Sequence, residues 1–268
     1  MHDIQVLVAT MNQSDFSIGE KMNIGCSAVF ANQTDRCEVE VVNVNVNDKT
    51  WMMISTNTVG VGLNRNIALM AAEADIVLFA DDDITYYDAS LEGVKKAFQK
   101  WPDADVMIFS TDLEKNGQIY KKKRVPHKRM HIWNSLRYGT YAIAAKRESL
   151  LRANIMFHQC FGGGCIYGSG EDTLLLVECF KRGLKVYSYN YILGKCNKDS
   201  SSWFTGFDEK FFYDKGALLA TAFPTCKYLM ACVFAIRFKK TDLPLLKRFR
   251  LIIHGMKNVK QLIHYSQV

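Results

Sequence analysis

Three adjacent aspartates, Asp81, Asp82 and Asp83, follow the apolar run at 76–80. Three neighbouring carboxylates repel one another at neutral pH, so they either spread into water or need a cation. If the apolar run is a buried strand, alternation places Asp81 and Asp83 on one face and Asp82 on the other. Carboxylates at the carboxyl end of a strand suit Mg²⁺ or Mn²⁺, whose coordination is often completed by substrate phosphates. The segment favours a metal-held diphosphate; the alternative is an acidic turn that caps the following helix.

A second acidic pair, Glu171 and Asp172, opens a predicted helix shortly after the glycine-rich segment 161–165. A carboxylate at such a helix start can accept the proton of an attacking hydroxyl group, provided that burial or its neighbour raises its pKa. Ionisation of one carboxylate makes ionisation of the adjacent one harder. The alternative is simple capping, because the helix dipole favours acidic residues in a first turn.

A loop with glycines at 60 and 62 and an arginine at 65 precedes another predicted helix. It lacks the Gly-Lys-Ser/Thr end of a P-loop and the third glycine of the dinucleotide-binding fingerprint. Arg65 at this helix start can pair with phosphate oxygens in bidentate fashion, whereas a salt bridge is the commoner use of a lone arginine.

The elements that must position these side chains alternate between strand-like and helix-like patterns. We predict strands at 4–9, 28–31, 39–46, 51–55, 76–80 and 105–110, and helices at 16–22, 63–73 and 89–100. Later segments are less regular, with strands at 139–145 and 184–188 and a helix at 171–182. The alternation predicts an α/β fold with a mostly parallel central sheet and helices on both faces.

The net charge of +7 over 268 residues belongs to the C-terminal end of the chain. Eight of the 34 Lys and Arg residues, but only one of the 27 acidic residues, follow position 236, so the remainder is neutral. Apolar residues recur there at steps of three and four, at Leu245, Phe249, Ile252, Met256, Val259 and Ile263. This periodicity predicts a basic amphipathic helix.

Two alternatives are open for this tail. Its apolar stripe either lies on an anionic membrane surface or packs on the domain. A membrane-spanning helix is not expected at 217–236, because Pro224 and Lys227 interrupt the apolar run. A nucleic-acid partner is not expected either, since no binding motif accompanies the basic residues.

The compartment is predicted from the start of the chain and from its cysteines. Residues 1–10 have no basic leader before their apolar stretch, so we expect no secretory signal. The eight cysteines form no C-x-x-C pair and no common zinc pattern, which favours reduced thiols. We therefore expect a cytoplasmic protein, with peripheral attachment to the inner face of the cell membrane as an option for the tail.

The order of these motifs resembles the family 2 glycosyltransferases of the GT-A fold. The resemblance rests on Thr10, on Ala31-Asn-Gln-Thr-Asp35, on the glycines and Arg65 at 60–66, on the aspartates at 78–83 and on Gly170-Glu-Asp172. Segments 201–207 and 210–216 resemble a bacterial branch that acts in cell-surface polysaccharide biosynthesis. The match spans roughly residues 4–220, and its specificity comes from order and spacing.

The resemblance implies an inverting hexosyltransferase. It would move a sugar from a nucleotide-diphosphate sugar, such as a UDP-sugar, to a hydroxyl group of a saccharide or lipid-linked saccharide. It implies a donor-binding half at 1–112 and an acceptor half at 113–223 of one GT-A domain, followed by the helical tail at 224–268. The resemblance also implies roles for the site residues: Mn²⁺ or Mg²⁺ would be bound by Asp81 and Asp83, and the ribose would be contacted by Asp82 or Asp81. The nucleobase would be contacted by Thr10, Asn32 and Gln33, and the diphosphate by Arg65. The general base would be Asp172, with Glu171 beside it.

Two positions depart from the family pattern. Many members carry an aspartate pair where this chain has Asn32 and Gln33. Some members complete the metal site with a histidine, which the segment Cys196-Asn-Lys-Asp199 lacks.

Trp203 either stacks on a sugar or packs in the core. The alternative functions are a sugar nucleotidyltransferase, which would release pyrophosphate, and a non-catalytic membrane-surface adaptor.

Overall fold

The computed structural model describes residues 3–44, 49–199 and 206–265, with side chains up to residue 259. The strands are β1 (Ile4–Met11), β2 (Ser27–Gln33), β3 (Glu38–Val44), β4 (Lys49–Thr56), β5 (Ile76–Asp81), β6 (Ile84–Tyr86), β7 (Val106–Lys115), β8 (Gln118–Lys123), β9 (Lys128–Arg129), β10 (Ile143–Lys146) and β11 (Val186–Asn197). The helices are α1 (Ser17–Lys21), α2 (Val61–Ala71), α3 (Ser90–Lys100), α4 (Ile132–Ser135), α5 (Arg147–Arg152), α6 (Glu171–Lys181), α7 (Glu209–Ala222), α8 (Lys227–Arg237) and α9 (Leu245–Tyr265).

The eleven strands of the described residues belong to one sheet, in which nine follow the order β3-β4-β2-β1-β5-β10-β7-β11-β6, while β8 pairs with β7 and β9 pairs with β11. The run β4-β2-β1-β5 is parallel throughout, and its central strands β1 and β5 are apolar almost from end to end. Such continuous apolar runs are required because helices cover both faces of a parallel sheet. Parallel pairing places the carboxyl ends of β1, β2 and β5 at one edge.

The second half of the sheet is mixed. β10 pairs antiparallel with both β5 and β7, while β11 runs parallel to β7 and antiparallel to β6. The predicted α/β fold with helices on both faces is confirmed, and the parallel part of the sheet lies in the first half. Within residues 3–44, 49–199 and 206–265, no helix is both long enough and apolar enough to cross a bilayer.

Side chains that alternate along β1 form two separate cores. Val6 and Val8 face a core with α3, whereas Leu7 faces a core with α2, α5 and α6. Burial on both faces fixes the register of β1, because a shift by one residue would exchange the two sets of side chains. The register aligns Ala9 with Asp81 and Thr10 with Asn32, so these polar residues share one sheet edge.

The C-terminal helices form a third core. Ile252, Met256 and Val259 on α9 are buried there together with α7 and α8, and Phe249 packs against them. The backbones of α7 and α9 approach so closely that a Cβ atom at Gly216 would lie 2.0 Å from the carbonyl oxygen of Ile252. Of the two alternatives for the apolar stripe, packing on the domain is therefore the one that the structure shows from Phe249 to Val259, while Leu245 is exposed.

Candidate active site

The aspartate triplet lies where β5 ends. β5 includes Asp81, but Asp82 and Asp83 form a turn before β6, so strand alternation does not extend to Asp83. Each carboxylate has a different partner. Asp81 accepts from Arg65 at 2.5 Å, Asp82 accepts from the Thr10 hydroxyl at 2.7 Å, and Asp83 accepts from Lys198 at 2.6 Å. Burial, together with the two neighbouring aspartates, raises the pKa of Asp82, although the Thr10 bond opposes this shift.

Arg65 joins the two acidic clusters that the sequence predicted. It is 4% exposed on the first turns of α2, and its second terminal nitrogen donates to Glu171 at 2.9 Å. The guanidinium lies over the ring of Phe157. The side chain of Asn66 holds Phe157 in place by donating to its backbone carbonyl oxygen and accepting from its backbone N–H. Both terminal nitrogens are thus used on carboxylates. This differs from the predicted contact with a diphosphate, which stays untested, and gives Arg65 a bridging role in the structure.

Glu171 and Asp172 begin α6, after Gly170 with a φ of 122°. A Cβ atom at Gly162 would lie 2.9 Å from the carboxyl carbon of Glu171, so the glycine-rich loop packs directly on this carboxylate. Burial and the negative charge of Glu171 raise the pKa of Asp172 to about 6, and Lys215 and Arg65 oppose the shift. A carboxyl group with such a pKa is ionised at neutral pH and is still a competent proton acceptor.

Asn32 and Gln33 are used within the protein. Asn32 is fully buried, accepts from the backbone of Gln13 and donates to its carbonyl oxygen and to Ser55. Gln33 accepts from the backbone N–H of Gly60 and so holds the loop before α2. These bonds give both side chains positioning roles, while their predicted contact with a nucleobase stays untested.

Several residues of the site escaped the sequence analysis. Asn64 donates to the carbonyl oxygens of Thr10 and Ala31 and fixes α2 against the ends of β1 and β2. Gln13 donates to the Thr10 hydroxyl at 3.0 Å. Lys198 contacts Asp83 although 115 positions separate the two residues, so no local sequence pattern predicts this contact. The one signal in the sequence was that segment 196–199 lacks the histidine of the family pattern.

The carboxylates of the triplet do not meet as ligands of a divalent cation. Asp81 and Asp83 are already paired with a guanidinium and an ammonium group of the chain. In the described part of the chain, no three His, Cys, Asp or Glu side chains are grouped to hold a metal ion. These residues therefore do not form a preassembled metal site. Trp203 and most of segment 201–207 lie outside the described residues.

Comparison with known proteins gives a family and a fold. Residues 28–159 match the family described as Glycosyl transferase family 2. The crystal structure of S. aureus TarS 1–349 in complex with UDP-GlcNAc is similar, with a TM-score of 0.58 and 14% identity over 95% of this chain and 71% of that chain. The same segment in complex with UDP gives a TM-score of 0.54 and 14% identity over 96% and 71%. No curated protein matches the sequence.

Proposed function

We propose that this chain, which matches glycosyl transferase family 2 through residues 28–159, moves a sugar from a UDP-sugar to a hydroxyl group of a saccharide or lipid-linked saccharide. One observation carries the proposal: Arg65 brings the aspartate triplet and the Glu171–Asp172 pair into one site. A UDP-sugar is supported as the donor by the UDP-GlcNAc in the similar TarS structure. We propose a division into a donor half at 1–112, an acceptor half at 113–223 and a tail at 224–268.

The mechanism assigns one chemical step to each part of the site. Asp172 accepts the proton of the acceptor hydroxyl group while the oxygen of that hydroxyl group attacks the anomeric carbon of the donor sugar. Direct displacement from the side opposite the diphosphate inverts that carbon. Asp82, oriented by Thr10, is available at the strand end for a hydroxyl group of the ribose. Arg65 keeps Glu171 paired, so that Asp172 rather than Glu171 is the carboxylate available to the acceptor.

A metal at Asp81 and Asp83, which the family resemblance implies, would have to bind together with the sugar donor. In the structure, both carboxylates are neutralised by Arg65 and Lys198, so an incoming ion must displace or tolerate a fixed positive charge. Mn²⁺ or Mg²⁺ would supply charge neutralisation at the diphosphate when bound.

A ligand screen tests the proposed reaction. We expect a UDP-sugar to raise the Tm of the protein, because a ligand that binds only the native state stabilises it by mass action. Turnover with acceptor should release UDP. Release of pyrophosphate would indicate a nucleotidyltransferase, and the absence of any nucleotide-sugar binding would indicate an adaptor; either result contradicts the proposal.

We also propose that α8 attaches the protein to an anionic membrane surface. Its Ala231 and Ala235 are buried against the domain, whereas Leu229, Val233 and Ile236 are 38–65% exposed along another face. The flanking charges at 227, 237, 239 and 240 are all positive, and no acidic residue occurs between 225 and 241. An exposed apolar helix face between cations fits a bilayer that carries anionic lipids.

Substitutions on this face test the membrane proposal. We expect Leu229→Gln with Ile236→Gln to weaken sedimentation with phosphatidylglycerol vesicles about tenfold, because two apolar side chains no longer enter the interface. The matched control is Val39→Gln with Val41→Gln on the edge strand β3, where both valines are also exposed. An equal loss in both variants, or a wild-type protein that does not sediment with the vesicles, would contradict the assignment.

A further inference from the structure

Lys198 is a cation placed beside the aspartate triplet. It follows β11, its ammonium group donates to Asp83 at 2.6 Å, and the same group lies 5.3 Å from the centre of the Tyr141 ring. Its side chain is 31% exposed, so its remaining N–H groups can reach a ligand. The thiol of Cys196 donates to the other oxygen of Asp83, at 2.9 Å, and holds that carboxylate in place.

The other cation at the triplet is in a different position. Arg65 is 4% exposed and donates from both terminal nitrogens to carboxylates, so its burial keeps it away from a ligand on the open side of the site. Lys198 is 31% exposed, donates to one carboxylate and lies beside Asp83, which is itself 30% exposed. The two residues therefore have different roles. Arg65 neutralises buried carboxylates, and Lys198 presents positive charge to the open side of the site.

We propose that Lys198 binds the diphosphate of the sugar donor directly, so that the protein binds UDP without a divalent cation. The inference rests on the proposed transferase function. A divalent ion on Asp83 would lie within a few ångströms of the ammonium group and would be repelled by it. A lysine ammonium group is charged at neutral pH and is paired here with Asp83, so it can stabilise the negative charge that grows on the leaving UDP.

Calorimetric titration with UDP tests this role without any turnover. For the wild type, we expect Kd in excess EDTA and Kd with Mn²⁺ to agree within about threefold. For Lys198→Gln, we expect Kd in EDTA to rise roughly tenfold or more, because a charge-assisted hydrogen bond to phosphate is lost. The matched control is Lys195→Gln, which removes a lysine of similar exposure on β11 that pairs with Glu114 on the neighbouring strand β7. Its Kd should stay within about twofold.

The outcomes separate this inference from the function on which it rests. UDP binding by the wild type that needs Mn²⁺, or Lys198→Gln binding as tightly as Lys195→Gln, overturns the inference and leaves the transferase intact. A wild type that binds no UDP in either condition overturns both. If Lys198→Gln does not fold, Lys198→Arg decides instead. It keeps the charge, so a loss of UDP affinity no larger than about fivefold supports the inference and a complete loss overturns it.

Discussion

Asp172→Asn is expected to lower kcat by about 10²–10⁴-fold, because the amide cannot accept the proton of the acceptor hydroxyl group. The fold should survive, since the backbone N–H of Thr173 that donates to Asp172 can donate to the amide oxygen as well. UDP affinity should also survive, because the substitution removes no group from the aspartate triplet. The measurement is steady-state transfer together with calorimetric UDP binding.

Glu178→Gln is the matched control for this experiment. It removes one carboxylate from the same helix, at an exposed position where Glu178 pairs with Lys181. Its kcat should equal that of the wild type. Retention of wild-type turnover by Asp172→Asn would show that another group accepts the proton.

The pH dependence follows from the same residue. With a pKa of about 6 for Asp172, kcat/KM should fall tenfold per pH unit below that value. Glu171→Gln should move this loss of activity to lower pH, because the negative charge that helps to raise the pKa of Asp172 is removed.

The stability of the fold changes with pH in the opposite direction. A folded-state pKa above the ordinary value means that the native state binds the extra proton, so this group favours folding more as pH falls from 6 towards 4. Activity lost at pH 5 with an unchanged or higher Tm would therefore identify titration rather than unfolding.

Arg65→Met should cost about 3–5 kcal/mol of unfolding free energy and abolish transfer, because it leaves two carboxylates unpaired around a buried side chain. Asp81 and Glu171 would repel each other with no cation between them, and Asp172 would lose its fixed neighbour. Urea denaturation measures the loss through the midpoint at constant slope.

Two further variants sharpen the Arg65 experiment. Arg36→Met breaks a surface pair with Glu38 and should change stability by less than about 1 kcal/mol. Adding Glu171→Gln to Arg65→Met should restore part of the stability, since one unpaired charge is removed. Equal unfolding free energies for Arg65→Met and Arg36→Met would exclude the bridging role.

Local patterns were sufficient for the elements that carry the site. The apolar runs of β1 and β5 and the acidic start of α6 are visible in the sequence because a buried parallel strand and a helix dipole impose them. The family resemblance then indicated that the two acidic clusters share one site. It could not supply their partners. The contact of Arg65 with Glu171 spans 106 positions and that of Asp83 with Lys198 spans 115, and both depend on how the sheet brings distant segments together.

The tail shows the same limit. Periodicity predicted an amphipathic helix in the region of α9, but not the surface that covers its stripe. The deciding feature is the pair of glycines at 216 and 255, which lets α7 and α9 touch through their backbones. The sequence did not indicate which apolar residues of α8 are exposed, because buried and exposed ones occur within a single apolar run.

The Arg65 bridge has a consequence for synthesis of the chain on the ribosome. Translation delivers α2 and β5 long before α6, and during that interval one of the two carboxylates that neutralise Arg65 does not yet exist. A nascent chain that stops before residue 171 must keep this cation hydrated instead of burying it against Phe157. The bridge can therefore form only after the start of α6 has been synthesised, so the burial of Arg65 is a late step in the maturation of the chain.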